Sequence, residues 1–270
     1  MKILFMKSLW GMTEKTLDEK FQRIKDAGYD GIETGSPKYE KAQDEFGNLF
    51  EKYDLKFIAQ QWSLGKNAEE HIKSFEEQFN RNAMFDPVLI NSHTGRDYFS
   101  FEENLEIVKA SYKIAEKKGL RLIHETHRAR FLFHPRITSE YLNSFSKLKL
   151  TADFSHWCCV SESLLEGQEK FVETAIKNSE HIHGRVGHKE GPQVNDPRAP
   201  EWQNNLEVHL NWWKSIVENH KAKGSELLTV TPEFGPPDYM MTLPYTRQPV
   251  IDLWDINLYM KNLLSEELSK

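Results

Sequence analysis

Acidic and imidazole side chains stand at the ends of consecutive short apolar runs in this sequence. Glu125 lies in Arg121–Thr126, Asp153 closes Lys149–Asp153, His181 and His183 lie in His181–Val186, and Glu233 closes Leu227–Glu233. Three carboxylates gathered at one apolar mouth would lose hydration and repel one another, which is severely unfavourable without a cation. A divalent metal resolves this. Three carboxylates and one imidazole, with room for water or substrate, form a hard, oxygen-rich donor set. Such a set suits Mn²⁺ or Mg²⁺ better than structural zinc, and Co²⁺ also fits. Adjacent strand residues face opposite ways, so His181 and His183 share one face, while His124 and Glu125 do not. Seven of the eleven histidines (His93, His124, His127, His156, His181, His183 and His188) fall in or beside these runs. Taken singly, each residue has a plainer reading. A lone carboxylate at a strand end is ordinarily a helix cap or an arginine partner. His181 reads as a satisfied core histidine. His124 reads as packing beneath a helix layer or as a donor behind the site. The recurrence of such residues on successive strand ends favours a metal site.

The elements that must position these groups follow from the periodicity. Eight strand candidates run from Lys2–Met6, Gly31–Thr34, Lys56–Gln60 and Val88–Asn91 to the four runs above. Amphipathic segments separate them. Leu17, Phe21 and Ile24 share a helical face, with Thr13 as the expected N-cap and Gly28 as the stop; Ile72, Phe75 and Phe79 form a second stripe. Ser100 and Glu103 have capping-box spacing ahead of Leu105, Val108 and Tyr112, and the final helix carries Ile251, Trp254 and Leu258. Alternation of strand and helix demands a parallel sheet. Eight units of about 34 residues match a single α/β domain over residues 1–270, a (β/α)₈ TIM barrel. An open doubly wound sheet would carry a glycine-rich phosphate turn, and no G-x-G-x-x-G or G-x-x-x-x-G-K-[ST] occurs.

Composition narrows the partners. The 35 basic and 41 acidic residues leave a net charge of -6, with no basic stripe for nucleic acid. At 39% hydrophobic and 28% charged, without a long apolar run, the chain reads as globular, with no membrane partner. The N-terminal stretch has the wrong layout for a signal peptide. The adjacent Cys158 and Cys159 are poorly placed to pair, so a reducing cytoplasm is the expected compartment. Trp212 and Trp213 are expected either to mark a surface for homo-oligomer formation or to be buried on the barrel.

With these residues in view, the chain resembles the xylose isomerase-like TIM barrels, which include the sugar phosphate isomerase/epimerase proteins. The resemblance spans essentially the whole chain. In the ketose 3-epimerase branch it implies one divalent ion, most commonly Mn²⁺ (with Co²⁺, Mg²⁺ or Zn²⁺ as alternatives), held at the positions of Glu125, Asp153, His183 and Glu233. It prefers His183 to His181, as the second histidine of the H-x-H pair, and places His156 against substrate oxygens. Two family positions differ: Phe131 stands where the epimerases carry a second glutamate, and Lys189 where they carry an arginine, with Arg185 nearer. The resemblance extends in part to type IV apurinic endonucleases, through His93, Glu125, Asp153, His156, His183 and Glu233. The D-x-H pair of that branch is missing between Gly184 and Trp202, and Gln60-Gln61-Trp62 replaces its third-strand histidine.

The expected function is a metal-dependent isomerase or epimerase of a sugar or polyol, acting by proton transfer through an enediolate. Glu125 and Glu233 are the candidate catalytic bases. His156, His93 and Lys189 are expected to orient hydroxyls, Arg185 to meet a phosphate or carboxylate, and Trp10 and Trp62 either to stack on the sugar or to fill the core. Gly187–Pro200 is the expected lid, and Arg247 an exposed ion pair. The alternatives on the same residues are a keto-polyol (inosose-type) dehydratase, a metallohydrolase of the apurinic endonuclease kind and a non-catalytic barrel.

Overall fold

The strands of the computed structural model, which describes residues 1–270, hydrogen-bond in chain order around a closed parallel barrel. They are β1 (Lys2–Ser8), β2 (Gly31–Thr34), β3 (Lys56–Trp62), β4 (Leu89–His93), β5 (Leu122–Glu125), β6 (Leu150–Ala152), β7 (Ser179–His183) and β8 (Leu227–Thr231). Closure is direct: β8 pairs with β1 in register from Lys2 opposite Leu227 to Phe5 opposite Val230. The outer ring is α1 (Leu17–Asp26), α2 (Glu40–Tyr53), α3 (Ala68–Asn82), α4 (Phe101–Lys118), α5 (Pro135–Ser144), α7 (Glu169–Asn178), α8 (Gln203–Ala222) and α9 (Leu253–Ser269), with a short extra helix, α6 (Ser155–Val160), directly after β6. The single (β/α)₈ TIM barrel is therefore the fold.

Local chemistry sets the boundaries. Helix α1 starts at Thr16 rather than Thr13, because only Thr16 has a glutamate three residues on. The Thr16 hydroxyl accepts from the Glu19 N–H at 3.1 Å, and the Glu19 carboxylate accepts from the Thr16 N–H at 2.9 Å. Ser100 and Glu103 form the same reciprocal box on α4. Strands β6 and β8 stop one and two residues before Asp153 and Glu233. Pro232, which has no N–H, ends the β8 ladder. The Asp153 N–H turns instead to the Thr126 hydroxyl at 2.9 Å. Both carboxylates thus sit on the first turn beyond the sheet.

Inside the barrel, the N-terminal end is closed by Leu4, Met6, Ile58, Leu89 and Ile123, all buried. Outside, the helices pack their apolar stripes on the strands. Trp213 belongs to this layer, 1% exposed, with Trp212 half-buried and edge-on to Phe154, so Trp213 is core rather than interface. Cys158 and Cys159 are unpaired. No helix is long and apolar enough to cross a membrane.

Candidate metal centre

Four side chains from four consecutive strand ends meet at the C-terminal mouth. Potential ligand atoms of Glu125, Asp153, His183 and Glu233 all lie within 4.8 Å of one another, and all four residues are buried. The imidazole of His183 sits between two carboxylate layers. Its Nε2 faces Glu33 Oε1 and Oε2 at 3.1 and 3.2 Å, closer than the Asn91 amide nitrogen at 3.4 Å, so an N–H there meets the nearer partners. That leaves the Nδ1 lone pair for the mouth. Nδ1 lies 3.0 Å from Glu233 Oε2, 3.5 Å from Glu125 Oε2 and 3.9 Å from Asp153 Oδ2, yet it makes no hydrogen bond of acceptable geometry to any of them. Glu125 Oε1 is likewise buried without a partner. Three carboxylates and one imidazole whose ligand atoms lie this close together, with two of their atoms unsatisfied, form a donor set that fits a divalent cation.

Charge points the same way. Four buried carboxylates, counting Glu33, face one permanent cation, Arg185, which is 1% exposed. Arg185 is fully engaged: Nη2 pairs with Asp153 Oδ2, stands 3.0 Å from His156 Nε2 and 3.6 Å from Glu233 Oε2, while Nε donates to the Ser155 hydroxyl at 3.2 Å and Nη1 to the Glu233 carbonyl at 3.2 Å. Burial and repulsion from Glu125 push the Asp153 carboxyl above its ordinary range despite Arg185. Burial alone would raise Glu125, but His93 and His183 hold it well below. Burial would also discharge His183, and its three glutamate neighbours outweigh that, holding the imidazole well above the usual value. A cation therefore binds His183 in competition with a proton.

Above these groups opens a cavity of about 420 Å³, lined in part by Trp10, Trp62, Gln60, His93, His127, Arg185 and Tyr239. This is the size of a small-molecule site. Trp10 and Trp62 are among the more exposed tryptophans, at 38% and 36%, and Trp62 stacks on His93 with ring centroids 5.3 Å apart. Gly235 is required here, because a Cβ would fall 2.2 Å from the Trp10 ring. His93 Nε2 lies 2.9 Å from Glu125 Oε2.

His156, Lys189, His181 and His124 do not line this cavity. His156 is fully buried behind the wall, pushed well below its ordinary pKa by burial and by His127 and Arg185, and its Nε2 accepts from Arg185. Lys189 is exposed in a separate depression beside Glu162, His188 and Glu190. The cause is the tight turn that returns the chain between His188 and Gly191 and throws Lys189 outward. The Gly187–Pro200 segment is tied down rather than free: Gln193 accepts from the Gly235 N–H at 2.7 Å and donates to the Gly235 carbonyl at 3.1 Å. His181 is satisfied, with Nδ1 2.6 Å from the Thr229 hydroxyl and Nε2 3.1 Å from Glu33. His124 faces the helices, and its Nδ1 lies 2.7 Å from the Thr94 hydroxyl.

Gln60 and Asn91, strand-end residues with no role expected of them, also belong to the site, as do Glu33 and Tyr239, which no motif singles out. Glu33 accepts from Asn91 Nδ2 at 3.0 Å and from the Thr231 hydroxyl at 2.5 Å besides touching both histidines. An acidic residue within the four-residue strand Gly31–Thr34 was its only signal. Tyr239 comes from the segment after β8, and Arg185 lies over its ring at 4.9 Å; nothing in the sequence marks it.

A family model described as xylose isomerase-like TIM barrel matches residues 21–201. No curated protein matches the chain. Among solved structures it is similar to a xylose isomerase-like TIM barrel protein from Mycobacterium smegmatis in complex with magnesium, at 9% identity, covering 98% of this chain and 96% of that one, with a TM-score of 0.67. It is also similar to 3-keto-D-glucoside 4-epimerase from E. coli, at 15% identity, 98% and 100% coverage and a TM-score of 0.64. A third is the probable 3-DHS dehydratase from Bacillus anthracis, at 14% identity, 97% and 98% coverage and a TM-score of 0.60. At these identities the likeness to the solved structures is one of fold.

Proposed function

Because the chain belongs to the xylose isomerase-like TIM barrel family, and its strand ends carry the donor set above, we propose that it is a divalent-metal-dependent isomerase or epimerase of an uncharged sugar or polyol. The observation that carries this is the meeting of Glu125, Asp153, His183 and Glu233 within 4.8 Å at the base of the cavity. Those four residues would hold the ion, Mn²⁺ by preference. Bound there, it supplies Lewis acidity that makes the C–H beside a substrate carbonyl more acidic.

The chain supplies the rest. Glu125 and Glu233 reach the cavity from β5 and from the turn after β8. One accepts the proton from the activated carbon and keeps it, and the other, protonated beforehand from solvent, delivers its own proton to the resulting enediolate. Return to the same carbon from the opposite face epimerises; return to the neighbouring carbon isomerises. Arg185 restrains Asp153, while Gln60, whose Nε2 lies 3.3 Å from both Glu233 Oε1 and His93 Nε2, and His93 itself are placed to hold hydroxyls. Trp10 and Trp62 cover apolar sugar faces. The only arginine or lysine lining the cavity is Arg185, already engaged by Asp153 and Glu233, so the lining favours a neutral substrate over a phosphorylated one.

The test is Mn²⁺ titration followed by proton exchange. Mn²⁺ at about 100 times its Kd should stabilise the wild-type protein by about 2.7 kcal/mol, and this gain should vanish in Asp153→Asn. Incubation with ketoses, aldoses and inosose-type polyols in D₂O should then place solvent deuterium on the carbon beside the carbonyl, and Glu233→Gln should abolish it. Absence of both metal stabilisation and deuterium uptake overturns the reading. Loss of water from the substrate in place of exchange moves it to dehydration.

A further inference from the structure

Strand β1 faces two cavities. Leu4 and Met6 point into the barrel, and Ser8, on the same face, lines the cavity above the carboxylates. Lys7 points the other way, toward the helices, and lines a separate cavity of about 580 Å³ between β1, α1, the start of α9 and the segment after β8. Its walls carry Trp10, Met12, Met240 and Trp254 beside polar groups, among them the carboxylate of Asp252, which is engaged as the N-cap of α9.

The polar accounting at Lys7 is incomplete. The side chain is 2% exposed, and its ammonium lies 5.9 Å from the centre of the Trp254 ring. Its one hydrogen bond goes to the carbonyl of the adjacent Ser8 at 2.6 Å, and it pairs with no carboxylate. An ammonium carries three donors, and burying one without a counter-ion is costly. The second cation on the wall, Arg23, lies over the Trp254 ring at 3.9 Å and already pairs with Glu14. The cavity therefore offers one unpaired buried cation among aromatic and thioether surfaces. That combination is complementary to a planar or alicyclic body bearing one negative charge.

We propose that this cavity is a second ligand site, distinct from the metal centre, for a small carboxylate with an aromatic or alicyclic body, its carboxylate held by Lys7. Trp10 forms a wall of both cavities, so the two ligands would lie on either side of one indole.

Benzoate is the probe, with benzamide as its neutral isostere, each titrated calorimetrically and by tryptophan fluorescence into the wild-type protein with and without chelator. Benzoate should saturate one site, about tenfold or more tighter than benzamide, with or without chelator. Lys7→Met should remove the preference for the charged probe. Gln248 is exposed on the cavity lining, so Gln248→Trp should fill the mouth and abolish binding without lowering the melting temperature; this variant carries the test if Lys7→Met does not fold. The proposal is overturned by absence of saturable benzoate binding, by equal affinity for benzamide, by binding that Gln248→Trp leaves intact, or by binding that disappears with chelator, which would place the carboxylate on the metal centre.

Discussion

At the N-terminal end of the barrel interior, Leu4, Met6, Ile58, Leu89 and Ile123 fill the space with apolar side chains; at the other end the same strands present polar ones. On β3 the change runs from Ile58 to Gln60, on β4 from Leu89 to Asn91 and on β5 from Ile123 to Glu125. Each is a step of two residues, roughly 7 Å along the strand. The backbone alternation is identical in both layers, so geometry alone does not distinguish a plug from a site. The lower layer is satisfied by dispersion and exclusion of water. The upper layer holds more carboxylates than cations and leaves His183 Nδ1 and Glu125 Oε1 without partners. One end is complete by itself, and the other is completed by something bound.

The largest expected effect tests the lower layer. Ile123→Ala should cost about 2–5 kcal/mol in denaturant unfolding, through the cavity it leaves, while Mn²⁺ affinity in the folded protein stays within about threefold. A larger loss of affinity would show that the two layers are not independent.

Next comes pH, where two histidines of the same barrel contrast. His183 sits among carboxylates; His124, one residue before Glu125, sits among Thr94, Tyr112 and Phe131, and burial pushes its pKa down to about 3. The unfolded chain takes up a proton near pH 6.5 and the folded His124 does not. Its contribution is thus full above about pH 6.5 and is lost as pH falls toward 3, by up to about 1.4 kcal/mol per unit. His124→Asn should flatten that part of the stability profile; an unchanged slope would mean that His124 ionises in the fold.

Glu33→Gln addresses the join between layers. Weakening the carboxylate behind His183 should lower Mn²⁺ affinity about 10–100-fold in calorimetric titration, with the fold retained. Unchanged affinity would reduce Glu33 to packing. The smallest effect belongs to neither layer: Arg247→Ala removes an exposed pair with Asp238 and should shift stability by less than about 0.5 kcal/mol.

The barrel itself was legible in the sequence, because eight apolar runs and eight amphipathic ones repeat on a short period that only a parallel, helix-covered sheet satisfies. The residues Glu125, Asp153, His183 and Glu233 were legible as strand-end polar groups, since fold position and residue type together are local information. Their partners were not. Glu33 and His183 are 150 positions apart, and only closure of the barrel brings β2 opposite β7. Lys189, six positions after His183, is carried away from the cavity by a turn whose course depends on its contacts rather than on spacing. Arg185 has the composition of a substrate-binding cation, but burial against Asp153 ties it to the carboxylates instead. Periodicity and residue type therefore determined the architecture and which strand ends carry donors. Only the tertiary structure decided which donors share a point, which are satisfied and which are left open. The physical reason is that hydrogen bonds and Coulomb interactions depend on distances of a few ångströms between residues far apart in the chain.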